Sequence, residues 1–578
     1  MIKAINRKFL PLIIFFGILI LLLVGLFFFI TFNVSTLKTI NNQIIHFIRE
    51  DDFEKAFILI DEIDLNKKNS IFLQKLSFIP FVKKEFELSQ CLVAIKKDLK
   101  EINNGVFLST ILQQQEDSLF SLKNLKNNLD CLKKYDLNWV EKQKYQLENW
   151  LSFLGEEKER NYLVLFQDSD IPRPSGGFIG AYAFLSFDNG RIDFSGNNIF
   201  ALEKVFLKNI VPPIPLQDIG DKWFFHDANW FFDFSLTSQK ILSFYKQTEM
   251  EPDLDGIILV NSSIVESVLE ITEPIKISEH NLTIDQTNFL SFYKNQIQEA
   301  VKPAPLREEK ELLSLFFNEF QESLKKASIE KLALISQVLT KAFDKKEIQI
   351  YVIDDNLEYF FNSFDWTGKI KESKNDYLGV NFSFINEGFI EDSRVKMIEL
   401  KTEFVSNGEI INYLTISAPN FSAGEKLLEN YIKIYLPKGI IVKEAAGSYL
   451  KKNHNLAQLE NLYDQLGYIK DEDLLLIEKS TIQDEKNGIE IYEEGGKIVI
   501  GLWAQLSLRP LNLVYELPED WRQLSDWEIV TQKQSGQNVK FSFELLTPKN
   551  ISIVPSLFPF NQFIPLDKDL TLNFKREN

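Results

Sequence analysis

The sequence predicts a multidomain α+β protein held at a membrane by one N-terminal transmembrane helix. Three observations carry that expectation. Residues 9–32, FLPLIIFFGILILLLVGLFFFITF, form one uncharged apolar run. From Asn33 to about Leu154 apolar residues recur at helical spacing. At Asn161 the pattern changes to strands, first mixed with helices and then short and closely spaced.

The run Phe9–Phe32 contains 24 residues, and about 20 apolar residues in a helix cross the hydrocarbon layer. A secretory signal has a shorter apolar stretch and a small-residue cleavage site. Here the run continues through Phe27, Phe28, Phe29 and Ile30, and no Ala-x-Ala pattern follows. An uncleaved signal anchor is therefore expected. Lys3, Arg7 and Lys8 precede it and only Lys38 follows closely, which places residues 1–8 in the cytoplasm and the bulk of the chain outside. No second run of that length occurs, so the expected topology is single-pass, with the lipid bilayer as first partner. An extracytoplasmic chain meets no free ATP or GTP, and no nucleotide partner is expected.

Residues 33–154 read as a helical stalk. Leu37, Ile40, Ile44, Ile48 and Phe53 recur near helical spacing, as do Leu92, Ile95, Leu99 and Ile102, then Leu119, Leu122, Leu125 and Leu129. Asn103-Asn104-Gly105 marks a turn. Cys91 lies 14 residues before Gly105 and Cys131 26 after it. In a simple hairpin that mismatch is ~18 Å at 1.5 Å per residue, beyond disulfide reach, so two free thiols are expected.

Residues 155–370 read as an α/β core domain. Asn161–Gln167 is a continuous apolar run of the buried-strand kind. Phe178–Phe187 and Arg191–Phe194 flank Asp188-Asn189-Gly190, a hairpin signal because Asn-Gly accepts positive φ. Asp255–Val260 is another strand, running into a helix that Asn261 or Ser262 would cap, with Ser263-x-x-Glu266 as a capping box. Further helices are expected at about 285–300, 307–327, 329–344 and 356–364, with a strand at 347–353. Residues 376–578 carry at least seven short strands separated by Gly, Pro, Asn and Asp, which suggests a C-terminal β-sandwich.

Charge and residue counts narrow the chemistry. A net charge of −18 leaves no basic face for nucleic acid. The four histidines, His46, His226, His280 and His454, pair with no second His or Cys at ligand spacing, so no zinc is expected. Gly-x-Ser-x-Gly is absent and His226 has no evident Ser partner, so no nucleophilic constellation emerges.

Two segments stand out. Asp168–Gly180 reads as a loop between strands in which Arg173 supplies a fork of donors and Ser175, Gly176 and Gly177 can turn amides toward an anion. The alternative is a bulge with Arg173 paired to a core carboxylate. The second segment, His226–Ser235, holds Asp227, Asn229 and Asp233, oxygen donors for a hard cation or partners for Arg173. Asp233 is equally placed to cap the helix that follows. Asp253 and Asp255 form a third acidic pair.

Together these segments resemble the bacterial family known as domain of unknown function 4012. Its strand followed by Gln-Asn and Arg-Pro-Thr/Ser-Gly-Gly-Phe-Ile-Gly is similar to Tyr162–Gln167 and Arg173–Gly180, with Asp168 in place of the Asn. Its Asp-Ala-Asn-Trp-x-x-Asp-Phe is similar to Asp227–Phe234, and its Asp-Gly strand to Asp255–Val260. Trp366–Gly368, Asp376–Leu378 and Lys533–Gly536 resemble its later motifs. Ile171 stands where an acidic residue is expected. The resemblance implies a single-pass envelope protein, structural or ligand-binding, in a cell-wall or surface-polysaccharide context, with no cofactor. Motif order is also distantly similar to the LytR-CpsA-Psr phosphotransferases. That likeness implies an alternative in which Arg173, Asp227 and Asp233 hold a polyprenyl diphosphate and Mg²⁺ for transfer of a glycopolymer to the wall. A third expectation is a carbohydrate- or protein-binding sandwich.

Overall fold

The computed structural model describes residues 34–50, 52–65, 74, 79–103, 119–135, 137–206, 208–300, 302, 311–385, 394–419, 428–451, 456–524, 526–547, 552–555 and 562–577. The predicted anchor, Phe9–Phe32, lies outside them, and no helix among the described residues is long and apolar enough to cross a membrane. The chain divides into two compact units. One comprises the residues up to Lys158 with Asp188–Arg191, and the other comprises Glu159–Phe187 with Ile192 onward.

The first unit is helical, as its periodicity predicts. Residues 34–49 are followed by Phe53–Leu65, Pro80–Asn103, Phe120–Leu129 and Asn138–Phe153, with a 3-10 segment at Asp130–Tyr135. Ile44, Ile48, Ile60, Leu92, Ile95, Leu122, Leu129 and Leu151 are buried. The expectation of two free thiols is corrected: Cys91 and Cys131 are joined in a disulfide, with Cα atoms 6.6 Å apart. The next described helix begins at Phe120, not just after the Asn103-Asn104-Gly105 turn, and Cys131 sits in the 3-10 segment beyond it. Counted from Asn103 and Phe120, the two cysteines lie at matching depths. The Asn128 amide donating to Asp98 (2.7 Å) fixes the same antiparallel register.

The second unit begins with a five-stranded mixed sheet. Its strands are β1 (Arg160–Arg173), β2 (Gly176–Asp188), β3 (Arg191–Asn198), β4 (Gly256–Asn261) and β7 (Ile348–Val352), in the order β3-β2-β1-β4-β7. A separate small hairpin, β5 (Ile275–Ile277) and β6 (Leu282–Ile284), lies between β4 and β7 in sequence. β1 runs antiparallel to β2 and parallel to β4. Side chains alternate across a strand, and here both faces are covered. Leu163, Leu165, Ile257 and Leu259 pack with Ile241 and Phe244 of the helix Phe234–Lys246. On the opposite face Phe166 stacks on Phe317 (5.0 Å), and Tyr293 donates to the Phe166 carbonyl (2.8 Å).

The strands after residue 376 form two sheets. Their members are β8 (Asp376–Phe384), β9 (Lys396–Phe404), β10 (Ile410–Ser417), β11 (Asn430–Leu436), β12 (Ile441–Ala446), β13 (Ser448–Tyr449), β14 (Ile482–Asp484), β15 (Ile489–Glu494), β16 (Lys497–Ala504), β17 (Leu511–Glu516), β18 (Asp526–Gln532), β19 (Val539–Leu546), β20 (Ser552–Pro555), β21 (Ile564–Pro565) and β22 (Leu570–Glu577). One sheet runs β12-β17-β10-β9-β19-β21. The other runs β14-β15-β16-β11-β8-β18-β22-β20, with β13 beside β16. Most pairs are antiparallel, but β8 pairs β18 and β9 pairs β19 in parallel.

The β11 strand shows how the α/β core and the sandwich join. Its even positions, Ile432, Ile434 and Leu436, enter the sandwich core. Of its odd positions, Tyr431 joins the α/β cluster with Trp230 and Phe231, and Tyr435 packs on Phe232. Being buried on both faces, the strand reads as the near-continuous apolar run YIKIYL. Glu159–Phe187 and Ile192 onward, which the sequence reading divides between an α/β core and a sandwich, thus lie in one compact unit.

Candidate functional site

The segment expected as a loop around Arg173 is largely strand. β1 extends to Arg173 and β2 begins at Gly176, leaving Pro174 and Ser175 as the turn, with register shifts after Phe166 and Asp168. These bulges turn the strand ends inward. Gly177 has to be glycine because a Cβ there would strike the Asp168 backbone. The Gly-Gly pair thus serves close approach of two strands.

Arg173 is sealed, with 3% of its surface exposed. Its Nε donates to Asp227 Oδ1 at 2.6 Å, and its Nη1 donates to the carbonyls of Pro172 (3.1 Å) and Phe384. Asp227 is also buried. Its Oδ2 lies 3.4 Å from His226 Nε2, and His226 Nδ1 lies 2.6 Å from Glu203. Burial opposes the charged imidazolium, but Glu203 and Asp227 outweigh it and raise the His226 pKa to about 10. For Asp227 burial is likewise outweighed, and Arg173 and His226 hold the carboxyl well below the usual range. The result is a chain of alternating charges, Glu203–His226–Asp227–Arg173, packed under Phe178 and Phe224.

Ser175, Gly176, Gly177 and Asn229, expected as ligand contacts, lie beside Arg173 and bond one another. The Ser175 hydroxyl donates to the Phe231 carbonyl (2.6 Å), and the Ser175 amide donates to the Asn229 carbonyl (3.3 Å). Asn229 Nδ2 donates to the Gly177 carbonyl (2.6 Å), and the Gly177 amide donates to Gln167 Oε1 (3.0 Å). Gly176 has φ +150° and sits against the Gln167 side chain. Asn229 Oδ1 is left without a partner.

Asp233 does not join this group. Its Oδ1 accepts from the Leu236 amide (3.1 Å), capping the helix Phe234–Lys246, and its Oδ2 accepts from the Ile370 amide (3.0 Å). Burial raises its pKa, partly offset by those amides. Asp255 is also structural, accepting from Arg160 Nη1 (3.0 Å) and the Asn161 amide (2.9 Å). The expected caps at Asn261 and Ser262 are corrected. Asn261 occupies the N-cap without a side-chain cap bond, because its amide oxygen accepts from Gln167 and its nitrogen donates to Glu347.

The far side of this cluster includes the Lys533–Gly536 motif, which the sequence singled out without placing it beside Arg173. Gln534 Nε2 donates to the carbonyls of Arg173 and Phe382 (both 2.9 Å), and Asn381 Nδ2 donates to the Pro174 carbonyl (2.7 Å). Gln167 and Asn261 both reach Ser535 Oγ at 3.4 Å, while Lys533 Nζ reaches Glu347 at 3.1 Å. Gly536, at φ +71°, sits against Asn261 and Ser169. Segments far apart in the chain thus close one buried polar seam between the mixed sheet and the sandwich.

A second charged centre is open. Lys433, with 2% exposed, donates to Glu494 (2.8 Å) and the Trp230 carbonyl (3.2 Å) and lies 5.1 Å from the Trp230 ring centre. Tyr435 and the Phe232 amide also donate to Glu494. Trp230 lies nearly parallel to Tyr431 (6.0 Å, 16°), whose hydroxyl donates to Glu490 at 3.4 Å. Burial raises the Glu490 pKa, partly offset by Tyr431. Trp230, Tyr431, Lys433, Glu490 and Glu494 line a pocket of about 200 Å³, together with Pro213, Ile214, Leu474, Ile477, Glu478, Thr481 and Gln483. The visible signal was Lys433 inside the apolar run YIKIYL. Among the described residues no group of three or more His, Cys, Asp or Glu is arranged to hold a metal ion.

Residues 157–297 match a family model described as "Protein of unknown function (DUF4012)". The match contains the Arg173 and Asp227 motifs and the Asp255 strand, while Trp366–Gly368, Asp376–Leu378 and Lys533–Gly536 lie beyond it. No curated protein and no solved structure matches the chain.

Proposed function

We propose, for a chain whose residues 157–297 belong to the DUF4012 family, a single-pass membrane-anchored extracytoplasmic protein of the cell envelope. In this reading the α/β core and sandwich form a non-catalytic scaffold with a ligand pocket, serving a cell-wall or surface-polysaccharide context. Anchoring is supported by the uncharged run Phe9–Phe32 and its positive flank. The scaffold half is carried by one observation: Arg173, at the centre of the most distinctive motif, is buried, with its Nε committed to Asp227 and its Nη1 to the carbonyls of Pro172 and Phe384.

A guanidinium that grips and releases a diphosphate has to be reachable, and Arg173 is 3% exposed. The phosphotransferase alternative, with Mg²⁺ and a polyprenyl diphosphate, also requires Asp233 to face the same groove. Asp233 is instead held by the Leu236 and Ile370 amides. The binding-module alternative has a specific observation in its favour, the pocket that Tyr431, Glu490 and Glu494 of the sandwich share with Trp230 of the core.

Limited proteolysis of the full chain in membranes tests the scaffold. Arg173→Lys is expected to raise susceptibility, and a polyprenyl diphosphate with Mg²⁺ is expected to leave wild type unprotected. Magnesium-dependent protection of wild type that Arg173→Lys abolishes would overturn the reading. For anchoring, protease added outside intact cells is expected to digest everything beyond Phe32, and alkaline extraction to leave the chain in the membrane. A chain released by alkali would refute it.

A further inference from the structure

We infer that Asp376 is a proton-operated lock between the two sheets of the sandwich, closed when its carboxyl is neutral and loosened when it ionises. Asp376 opens the Asp376–Leu378 motif, to which neither the sealed Arg173 cluster nor the pocket gives a role. The inference concerns the sandwich alone and stands apart from the anchoring and scaffold readings.

Side chains alternate along β8, and Leu378, Val380 and Phe382 enter the sandwich core. Asp376 shares their parity and is buried, so its carboxyl lies on the core face. Asn412 of β10 reaches it from the other sheet, its Nδ2 donating to Asp376 Oδ2 at 2.9 Å. The same Nδ2 donates to the Tyr515 hydroxyl oxygen (3.1 Å), and the Thr402 hydroxyl donates to Asn412 Oδ1 (2.6 Å). Asp376 Oδ1 accepts from the Tyr377 amide (2.8 Å). One carboxyl is thus tied to β9, β10 and β17 of the opposite sheet through buried side chains that carry no charge.

Nothing offsets an ionised Asp376 as Arg173 offsets Asp227. It forms no ion pair among the described residues, and the Tyr377 and Asn412 donors are neutral. The cation whose field reaches it is Lys497 of β16, which lies 4.3 Å from the Tyr377 ring centre and donates to Ser373 (3.5 Å). Glu372 draws on that lysine in turn. Ile529, paired with Asp376 on β18, is apolar, and burial keeps Tyr515 neutral. Burial therefore outweighs the two amides and Lys497 and raises the Asp376 pKa to about 7. A carboxylate left between apolar sheets is relieved when they part and admit water. Its contribution to stability is complete below pH ~4, declines as the pH rises toward 7, and is gone above that.

Hydrogen exchange of the full chain in detergent tests this at the amides of β8 and β10, after correction for the intrinsic effect of pH. In wild type the opening of these strands should grow up to about tenfold per pH unit between pH ~4 and ~7, then level off. Asp376→Asn keeps the shape and cannot ionise, so its protection should not change across that range. Infrared difference spectra between about pH 5 and 8.5 should show the carbonyl band of a protonated carboxyl in wild type, and Asp376→Asn should lose it. Lys497→Met retains the carboxyl and removes the nearest cation, so both transitions should move to higher pH. The proposal fails if Asp376→Asn keeps the wild-type dependence, if it removes no carboxyl band, or if Lys497→Met leaves the transitions in place. Such a failure would leave the Arg173 proteolysis results, and the scaffold they test, untouched.

Discussion

Two buried ion pairs lie on either side of the Asp227–Phe234 segment, and they have opposite fates. Arg173 and Asp227 are closed over by two sheets, and the Arg173 Nε and Nη1 bond only protein oxygens. Lys433 and Glu494 are as deeply buried, yet they form the base of a pocket that opens to solvent. Burial therefore does not separate a structural charge from a ligand-binding one. The distinction lies in whether space remains beside the pair. At Arg173 the sequence offers the more conspicuous motif and the structure fills the space. At Lys433 the sequence offers one lysine in a strand and the structure leaves room.

The sharpest break of this comparison is Arg173→Met. It strands Asp227 beside His226 in a dry site, and losing one partner of a buried pair costs about 3–5 kcal/mol. Denaturant unfolding followed by near-UV circular dichroism should show that loss. Lys433→Met should cost less, about 1–3 kcal/mol, because Tyr435 and the Phe232 amide still donate to Glu494 and pocket water can reach the site. Equal losses would erase the distinction between a sealed pair and an open one.

Gly536→Ala sharpens the comparison from the sandwich side. A left-handed backbone costs a residue with a Cβ about 1–2 kcal/mol, and that Cβ would press on Asn261 and Ser169. Hydrogen exchange should show the loss of protection in β1 and β4, at the sealed cluster, with the amides around Lys433 spared.

The smallest effect is a dependence on pH. His226 has a folded pKa of about 10, above its unfolded value near 6.5. Its contribution is therefore complete below pH ~6.5 and declines as the pH rises toward 10. Asp227 is depressed, so its contribution is present above pH ~4 and lost in acid. The contribution of this pair is flattest between about pH 4 and 6.5. His226→Gln should remove the alkaline decline, and an unchanged decline in that variant would assign it to other groups.

Much of the architecture was legible because period and punctuation are local. The strands at 161, 178 and 255 and the helix Ile329–Asp344 all emerge near their expected bounds. All seven strands expected after residue 376 are present. β12 was missed because it is an exposed strand with no apolar alternation. Arg173 and Asp227 were legible as residues that meet, but their closure was not. The lid over them is built from Asn381, an ordinary amide in the sequence, and Gln534, which belongs to the Lys533–Gly536 motif but meets Arg173 only through the folding of the sandwich, where β8 pairs with β18. The disulfide failed for a related reason: a hairpin drawn from one Asn-Asn-Gly turn set the wrong register. The predicted anchor, Phe9–Phe32, lies outside the described residues and stands on its sequence alone.

The hydrogen bond from Gln167 to Ser535 spans 368 positions of the chain. At roughly 5–20 residues per second, a ribosome needs roughly 20–70 s to deliver the second partner after the first. Within that interval the mixed sheet has all its strands only after Val352, and the residues that cover the Arg173 cluster follow later still. Closure of the Arg173 cluster thus waits on a late part of the sandwich, with β19 to β22 still to follow. A chain interrupted before Lys533 would lack β19 to β22 and leave its most polar interior without its cover, a ready mark for proteolytic removal of unfinished copies.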